Sequence, residues 1–174
     1  MGQTPSDTAE RFAALYDLCY GAIHAYASRR VGPGAADEIA AETFLVAWRR
    51  FEDMPSEPLP WLYGVARNIV LRHRATIERQ RQTRDALTRE RPWQQPHGAD
   101  VEDPRLWEAW EQLRAGDREV LALIAWEELS VADAARALGC SAPVFSVRLH
   151  RARRRLEHLL EPVAPVRPTE LSEV

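Results

Sequence analysis

Between positions 148 and 155 the chain carries five arginines, Arg148, Arg151, Arg153, Arg154 and Arg155, and no acidic residue. A guanidinium fork matches guanine edges and phosphate oxygens, so such a run points toward nucleic acid. Its surroundings sharpen the reading. Ser130 is suited to cap a short helix holding Val131, Ala134, Ala135 and Leu138. Gly139 then makes a turn, and Ser141 caps a longer helix with Pro143 tolerated in its first turn. A short helix, a glycine turn and a long helix make a helix-turn-helix, whose second helix enters the DNA major groove. Phe145, Leu149, Ala152, Leu156 and Leu159 form the buried stripe of the long helix. Val144, Ser146, Val147, Arg148 and Arg151 are left facing outward or sideways. The plainer alternative is a solvated basic helix in a bundle.

A second grouping lies in the N-terminal half. Trp48, Phe51, Trp61 and Tyr63 flank the segment Asp53–Pro60, whose three prolines predict a loop. Arg67, Arg72 and Arg74 follow on the helix beyond it. Aromatic rings beside cations suit single-stranded DNA, because unstacked bases lie on the rings while arginines hold phosphates. Aromatics at helical spacing are also ordinary core, and Trp48 and Phe51 are read that way. For the loop and the basic face of 67–74 both readings stand. Asp37, Glu38 and Glu42 share a helix face with no histidine or second carboxylate cluster beside them, so they read as a surface patch. There is no nucleotide-binding glycine loop, GxSxG or metal-ligand spacing, which leaves enzyme readings little support and predicts no cofactor and no metal. Cys19 and Cys140, far apart and outside any CxxC, read as small core residues.

These groups need elements to hold them, and every periodic stretch is helical, predicting an all-α fold of two small helical domains joined by a flexible linker. The first block is 8–76. There Phe12, Leu15, Tyr16, Cys19, Ile23 and Tyr26 form one stripe, and Gly32-Pro33-Gly34 ends that helix. A second helix is expected from near Ala35, lined by Ala40, Thr43, Phe44, Ala47, Trp48 and Phe51. A third, from about Leu59, carries Leu62, Val65, Ala66, Ile69 and His73 on one face. Residues 77–103, rich in Arg, Gln, Pro, Glu and Asp, read as a linker, helical as far as Thr88 at most and irregular after Pro92. The second block, 104–161, starts with a helix marked by Leu106, Trp110 and Leu113. Asp117 is expected to cap the next helix, ahead of the helix-turn-helix. The tail, 162–174, holds three prolines and is expected to be disordered.

Composition fits folded helical domains: 45% of the 174 residues are apolar and 28% charged. The net charge of −3 is unlike a typical basic DNA-binding domain, so the concentration of arginine in one helix matters more than the total. All 23 basic residues are arginine, which we read as the mark of a GC-rich genome. No apolar run approaches a membrane span and no secretory signal is visible, so a cytoplasmic location without membrane insertion is expected.

Several stretches, in order, resemble one family. Asp37-Glu38-Ile39-Ala40-Ala41-Glu42-Thr43-Phe44-Leu45-Val46-Ala47-Trp48-Arg49 resembles region 2.2 of the sigma-70 family, and Pro60-Trp61-Leu62-Tyr63-Gly64-Val65-Ala66-Arg67-Asn68 resembles the signature that follows it in extracytoplasmic-function (ECF) members. Asp117-Arg118-Glu119-Val120-Leu121, Ala132–Cys140 and Arg148–Leu156 are similar to region 4. Only regions 2 and 4 are present, which is the ECF arrangement. The resemblance implies a sigma factor whose partners are core RNA polymerase, through its clamp helices and flap, and promoter DNA, both duplex and single-stranded. An anti-sigma factor is a further expected partner. It implies that Asp37, Glu38, Glu42 and Trp48 face the polymerase. It places the −10 element against Met54, Ser56, Trp61, Arg67, Arg72 and Arg74, and the −35 element against the outward residues of the last helix. In place of the family's frequent Gly-Thr-Val-Lys-Ser the chain has Pro143-Val144-Phe145-Ser146-Val147, so the family's −35 preference does not carry over. A stand-alone helix-turn-helix regulator would account for 130–155 but leaves the first block unexplained.

Overall fold

The computed structural model describes residues 5–83 and 103–161. Among these residues there are seven α-helices, one 3-10 turn and no strand. The first three helices are α1 (Pro5–Val31), α2 (Pro33–Arg49) and α3 (Pro58–Thr83), with the 3-10 turn at Phe51–Asp53. Gly32 separates α1 from α2, and Pro33 opens α2 at a position where its missing N–H costs nothing. The helix therefore starts two residues ahead of the expected Ala35. The proline-rich loop is likewise shorter than expected. Only Met54–Glu57 is non-helical, because Pro58 and Pro60 fall in the first turn of α3, where no hydrogen bond is lost. α3 runs on through residue 77 to Thr83. The rest of the expected linker, and the tail from 162, lie outside the described residues.

α1, α2 and α3 pack on one another around Leu15, Cys19, Ile23, Phe44, Leu62, Ala66 and Ile69. Thr43 is buried among them, and its hydroxyl donates to the Ile39 carbonyl oxygen at 2.7 Å, so no polar atom is stranded. The second group is α4 (Pro104–Gln112), α5 (Ala115–Ala125), α6 (Val131–Ala137) and α7 (Ala142–Leu160). Asp103 caps α4, its carboxylate accepting from the Arg105 N–H at 2.9 Å. Asp117 does not cap α5. The capping position is Arg114, and Asp117 sits in the first helical turn, where a carboxylate favours the positive end of the helix. Ser130 does cap α6, accepting from the Asp133 N–H at 3.1 Å while its hydroxyl donates to the Asp133 carboxylate at 2.6 Å. That hydrogen bond is the main influence holding the Asp133 carboxyl below its usual range. Among the described residues no helix is long and apolar enough to cross a membrane.

The two helical groups are docked, with α6 lying on α3 and one buried cluster running across both. At Gly64, near the middle of the contact, a side-chain Cβ would stand 3.1 Å from the Ala137 carbonyl oxygen. Glycine in a helix interior costs about 1 kcal/mol relative to alanine, and here it permits backbone-to-backbone approach.

Candidate nucleic-acid interface

The geometry of α7 follows from the turn before it. Gly139 adopts φ 62°, a left-handed conformation that glycine takes without strain. The Cys140 N–H donates to the Ala135 carbonyl oxygen at 3.0 Å, closing α6. Ser141 occupies the capping position of α7 with extended backbone, but its side chain makes no capping hydrogen bond; Pro143 stiffens the first turn instead. Phe145 and Ala152 are fully buried and Leu149 nearly so, and these three fix the helix's rotation. Val144, Ser146, Val147, Arg148 and Arg151 are all exposed, spread over the sides of α7 that this anchor leaves free. All five expected residues are thus accessible. Arg155 is occupied differently from its neighbours: it grips both carboxylate oxygens of Asp117, at 2.6 and 2.8 Å, and ties α7 to α5. Arg153 stays exposed, and Arg154 lies 3.5 Å from Glu157.

The residues expected around the loop divide. Trp61, Arg67 and Arg72 line one cleft of about 450 Å³, together with Arg50 and the Arg136–Gly139 end of α6. Met54 is half-buried and Ser56 exposed in the loop itself. Arg74 does not join them. Its guanidinium turns inward and donates to the carbonyl oxygen of Arg30, so burial works to lower its pKa. Tyr63 is also withdrawn: it is buried, its ring 5.2 Å from that of Tyr26. Both residues follow the helical period to the α1-facing side of α3, a side that only packing identifies. Arg136 reaches over the loop to Glu57 and also pairs with Asp133.

On α2, Asp37 and Glu38 are exposed and Glu42 is half-buried. Asp37 accepts from the Tyr20 hydroxyl at 3.1 Å, which raises the Tyr20 pKa, and lies 3.2 Å from His24. Glu42 pairs with Arg72 of α3, so one carboxylate of this face is bound to one arginine of the loop-side cleft. Trp48 departs from its reading as core. It is 46% exposed, with its edge against Phe12 at a centroid distance of 4.9 Å, while Phe51 is half-buried. A tryptophan ring this exposed on a helix surface has binding character. Cys19 is buried as expected, and Cys140 is half-buried in the turn before α7.

Sequence reasoning missed one constellation. Arg30 of α1 is 1% exposed and makes a two-pronged contact with Glu119 of α5, at 2.9 and 3.1 Å. Its remaining nitrogen donates to Glu127 at 2.9 Å, and Arg29 binds the other oxygen of Glu127. The Tyr26 hydroxyl donates to Glu119 at 2.8 Å, and the Arg30 guanidinium carbon stands 3.4 Å from the centre of the Tyr26 ring. Burial pushes the Glu119 carboxyl up, but the charge of Arg30 and the hydrogen bonds from Arg30 and Tyr26 outweigh it and hold the group below its ordinary value. Burial likewise works against the charge on Arg30, and Tyr26, Glu119 and Glu127 together raise it. The sequence offered no signal here beyond the charges themselves, since the partners lie some ninety residues apart.

Comparison with known proteins follows the same two groups of helices. A family model described as Sigma-70 region 2 matches residues 15–80, and one described as Sigma-70, region 4 matches residues 104–156. The chain is 30% identical to RNA polymerase sigma factor NccH of Alcaligenes xylosoxydans xylosoxydans, over 82% of this chain and 83% of that protein. It is 29% identical to ECF RNA polymerase sigma factor SigL of Mycobacterium tuberculosis, over 88% of this chain and 91% of that one. The solved structures that resemble it include the following two. One is the sigma factor RpoE in complex with the anti-sigma factor NepR from Bartonella quintana, with a TM-score of 0.68, 25% identity and coverage of 89% of this chain and 99% of that one. The other is CnrH in complex with the cytosolic domain of CnrY, with a TM-score of 0.60, 26% identity and coverage of 87% and 88%.

Proposed function

The chain belongs to the sigma-70 family as an ECF sigma factor that directs RNA polymerase to promoters, and from that premise we propose how its surfaces divide the work. Residues 8–76 act as region 2, binding core polymerase and capturing the melted −10 element. Residues 104–161 act as region 4, reading the −35 element, and 77–103 link the two. The observation that carries the duplex-reading half is the exposed face of α7, where Arg148 and Arg151 project from a helix anchored by Phe145, Leu149 and Ala152. Helices so placed enter the major groove, and arginine there binds guanine edges or phosphates.

Met54, Ser56, Trp61, Arg67 and Arg72 hold an unstacked −10 base and its backbone. Asp37, Glu38, Glu42 and Trp48 meet the polymerase clamp, where opposed charges fix register more than they add affinity. The protein works in the cytoplasm as an initiation factor, without catalysing a reaction of its own. A cognate anti-sigma factor holds it inactive; the similar RpoE structure was solved in such a complex. The test is transcription in vitro with purified core polymerase and the promoter of the protein's own operon. Transcripts that depend on this chain are expected. A failure to bind core polymerase and to start transcripts on that template would overturn the reading.

A further inference from the structure

The arginines of α7 can account for guanine in the −35 element but not for the other bases. Arginine pairs with guanine, whereas adenine is read by asparagine or glutamine and cytosine by a carboxylate. α7 holds no asparagine and no glutamine, and no acidic residue before Glu157. Ser146 carries the one hydroxyl of the helix, and it is turned back on its own backbone, donating to the Ala142 carbonyl oxygen at 3.0 Å. The polar groups that would read an A·T pair are therefore missing from this helix.

What the helix offers instead is apolar. Val144 and Val147 are 48% and 50% exposed, in the first two turns of α7, where the second helix of a helix-turn-helix meets base edges. With Arg148 and Arg151 they follow the spacing i, i+3, i+4, i+7, which is one stripe of a helix. Packing does not require them, since Phe145, Leu149 and Ala152 fill the inner side. Helix propensity does not favour them either, because β-branched residues lose side-chain freedom in a helix. Thymine presents a C5-methyl group in the major groove, and apolar contact with that methyl is one way a protein reads the base. Valine has neither donor nor acceptor. Against a guanine or cytosine edge it would strip water from polar groups and return no hydrogen bond.

We infer that Val144 and Val147 are specificity-determining residues of the −35 contact, reading the C5-methyl groups of thymines beside the sites of Arg148 and Arg151. The inference rests on the −35 reading proposed above and names what that reading selects. Both valines lie in the run where this chain departs from the family's frequent one, so the thymine contact is a property of this chain.

Deoxyuridine tests this, because it pairs as thymine does and lacks only the methyl group. Holoenzyme assembled from the full chain and core polymerase is bound to duplexes carrying the promoter of the protein's own operon. Each thymine of the −35 region, on either strand, is replaced in turn, and affinity is measured by competition with the unmodified duplex. Burial of one methyl group corresponds to about fourfold in affinity, so the wild type should lose about that much at one or two thymines. Val144→Ser and Val147→Ser change exposed positions and should keep their helicity by circular dichroism. Each should bind the unmodified duplex more weakly and lose nothing further at its own deoxyuridine position, as a double-mutant cycle requires of a direct contact. No loss at any thymine in the wild type, or the same loss in both serine variants, overturns the inference. The −35 reading survives that result if a duplex with a scrambled −35 region still binds more weakly than the promoter. Equal binding of scrambled and promoter duplexes overturns both.

Discussion

Arg148 and Arg151 share a helix face but need not share a role. Both are exposed, separated by the buried Leu149, and both fall within the first three turns of α7. A guanidinium that reads a guanine edge contributes about 1–3 kcal/mol of discrimination. Its replacement by alanine should relax preference at one −35 position. A guanidinium on a phosphate carries no sequence information, so its loss should weaken all templates alike and flatten the salt dependence by about one unit. Transcription from a library of −35 variants at two salt concentrations separates these outcomes for Arg148→Ala and Arg151→Ala. If both variants equal the wild type in activity, preference and salt slope, this face does not read the promoter. Arg155 is different, because its bond to Asp117 makes it part of the packing of α7 on α5.

At the scale of elements, two surfaces can be separated by substitution. The outer face of α2 keeps its acidic groups in water while its inner face is core. Asp37→Lys with Glu38→Lys should therefore leave helicity by circular dichroism unchanged and abolish assembly with core polymerase, measured by gel filtration of the mixture. Intact assembly would remove α2 from the polymerase contact. The Met54–Glu57 loop enters from a 3-10 turn and leaves through the proline-started α3, so its ends are fixed independently of its middle. Trimming it to a short glycine turn should spare polymerase binding and block open-complex formation, because extruding a base costs a few kcal/mol that the loop's contacts must return. Permanganate reactivity of promoter thymines reports the melting directly, and normal reactivity with the trimmed protein would clear the loop of that role.

Across the whole molecule, the docking of the two halves depends on the ionisation of Glu119. Its carboxyl is held below the ordinary range in the docked state, so its contribution is fully present above the unfolded value of about 4.3. That contribution is lost as pH falls through the lower native value. Small-angle scattering should show a constant radius of gyration from neutral pH down to about pH 5 and an increase below about pH 4. Glu119→Gln should weaken docking already at neutral pH and flatten the acid response. An acid expansion of the same size in the Gln variant would assign the effect to other carboxylates.

The helices themselves were legible in the sequence because each one satisfies its backbone locally and shows its buried side at a period of 3.6 residues. Phe145, Leu149 and Ala152 needed no partner to be recognised as the inner side of α7, and Gly139 announced the turn before it. The family followed from the same stretches, since Trp61–Asn68 and Arg148–Leu156 are each continuous in the chain. Where the sequence misled, non-local packing or helix-end geometry had the deciding part. Pro58 and Pro60 read as loop until their place in a first helical turn removed the cost of a missing N–H. Arg74 read as a DNA contact until the α1 backbone claimed it, and the helical spacing of Trp48 read as core, while the resemblance put it on the surface where α1 and α2 leave it. The network of Arg30 with Glu119 and Glu127 was beyond sequence reasoning altogether. Charges carry no period, and Arg30 and Glu119 become partners only when two helical groups that each fold around local contacts close on one another.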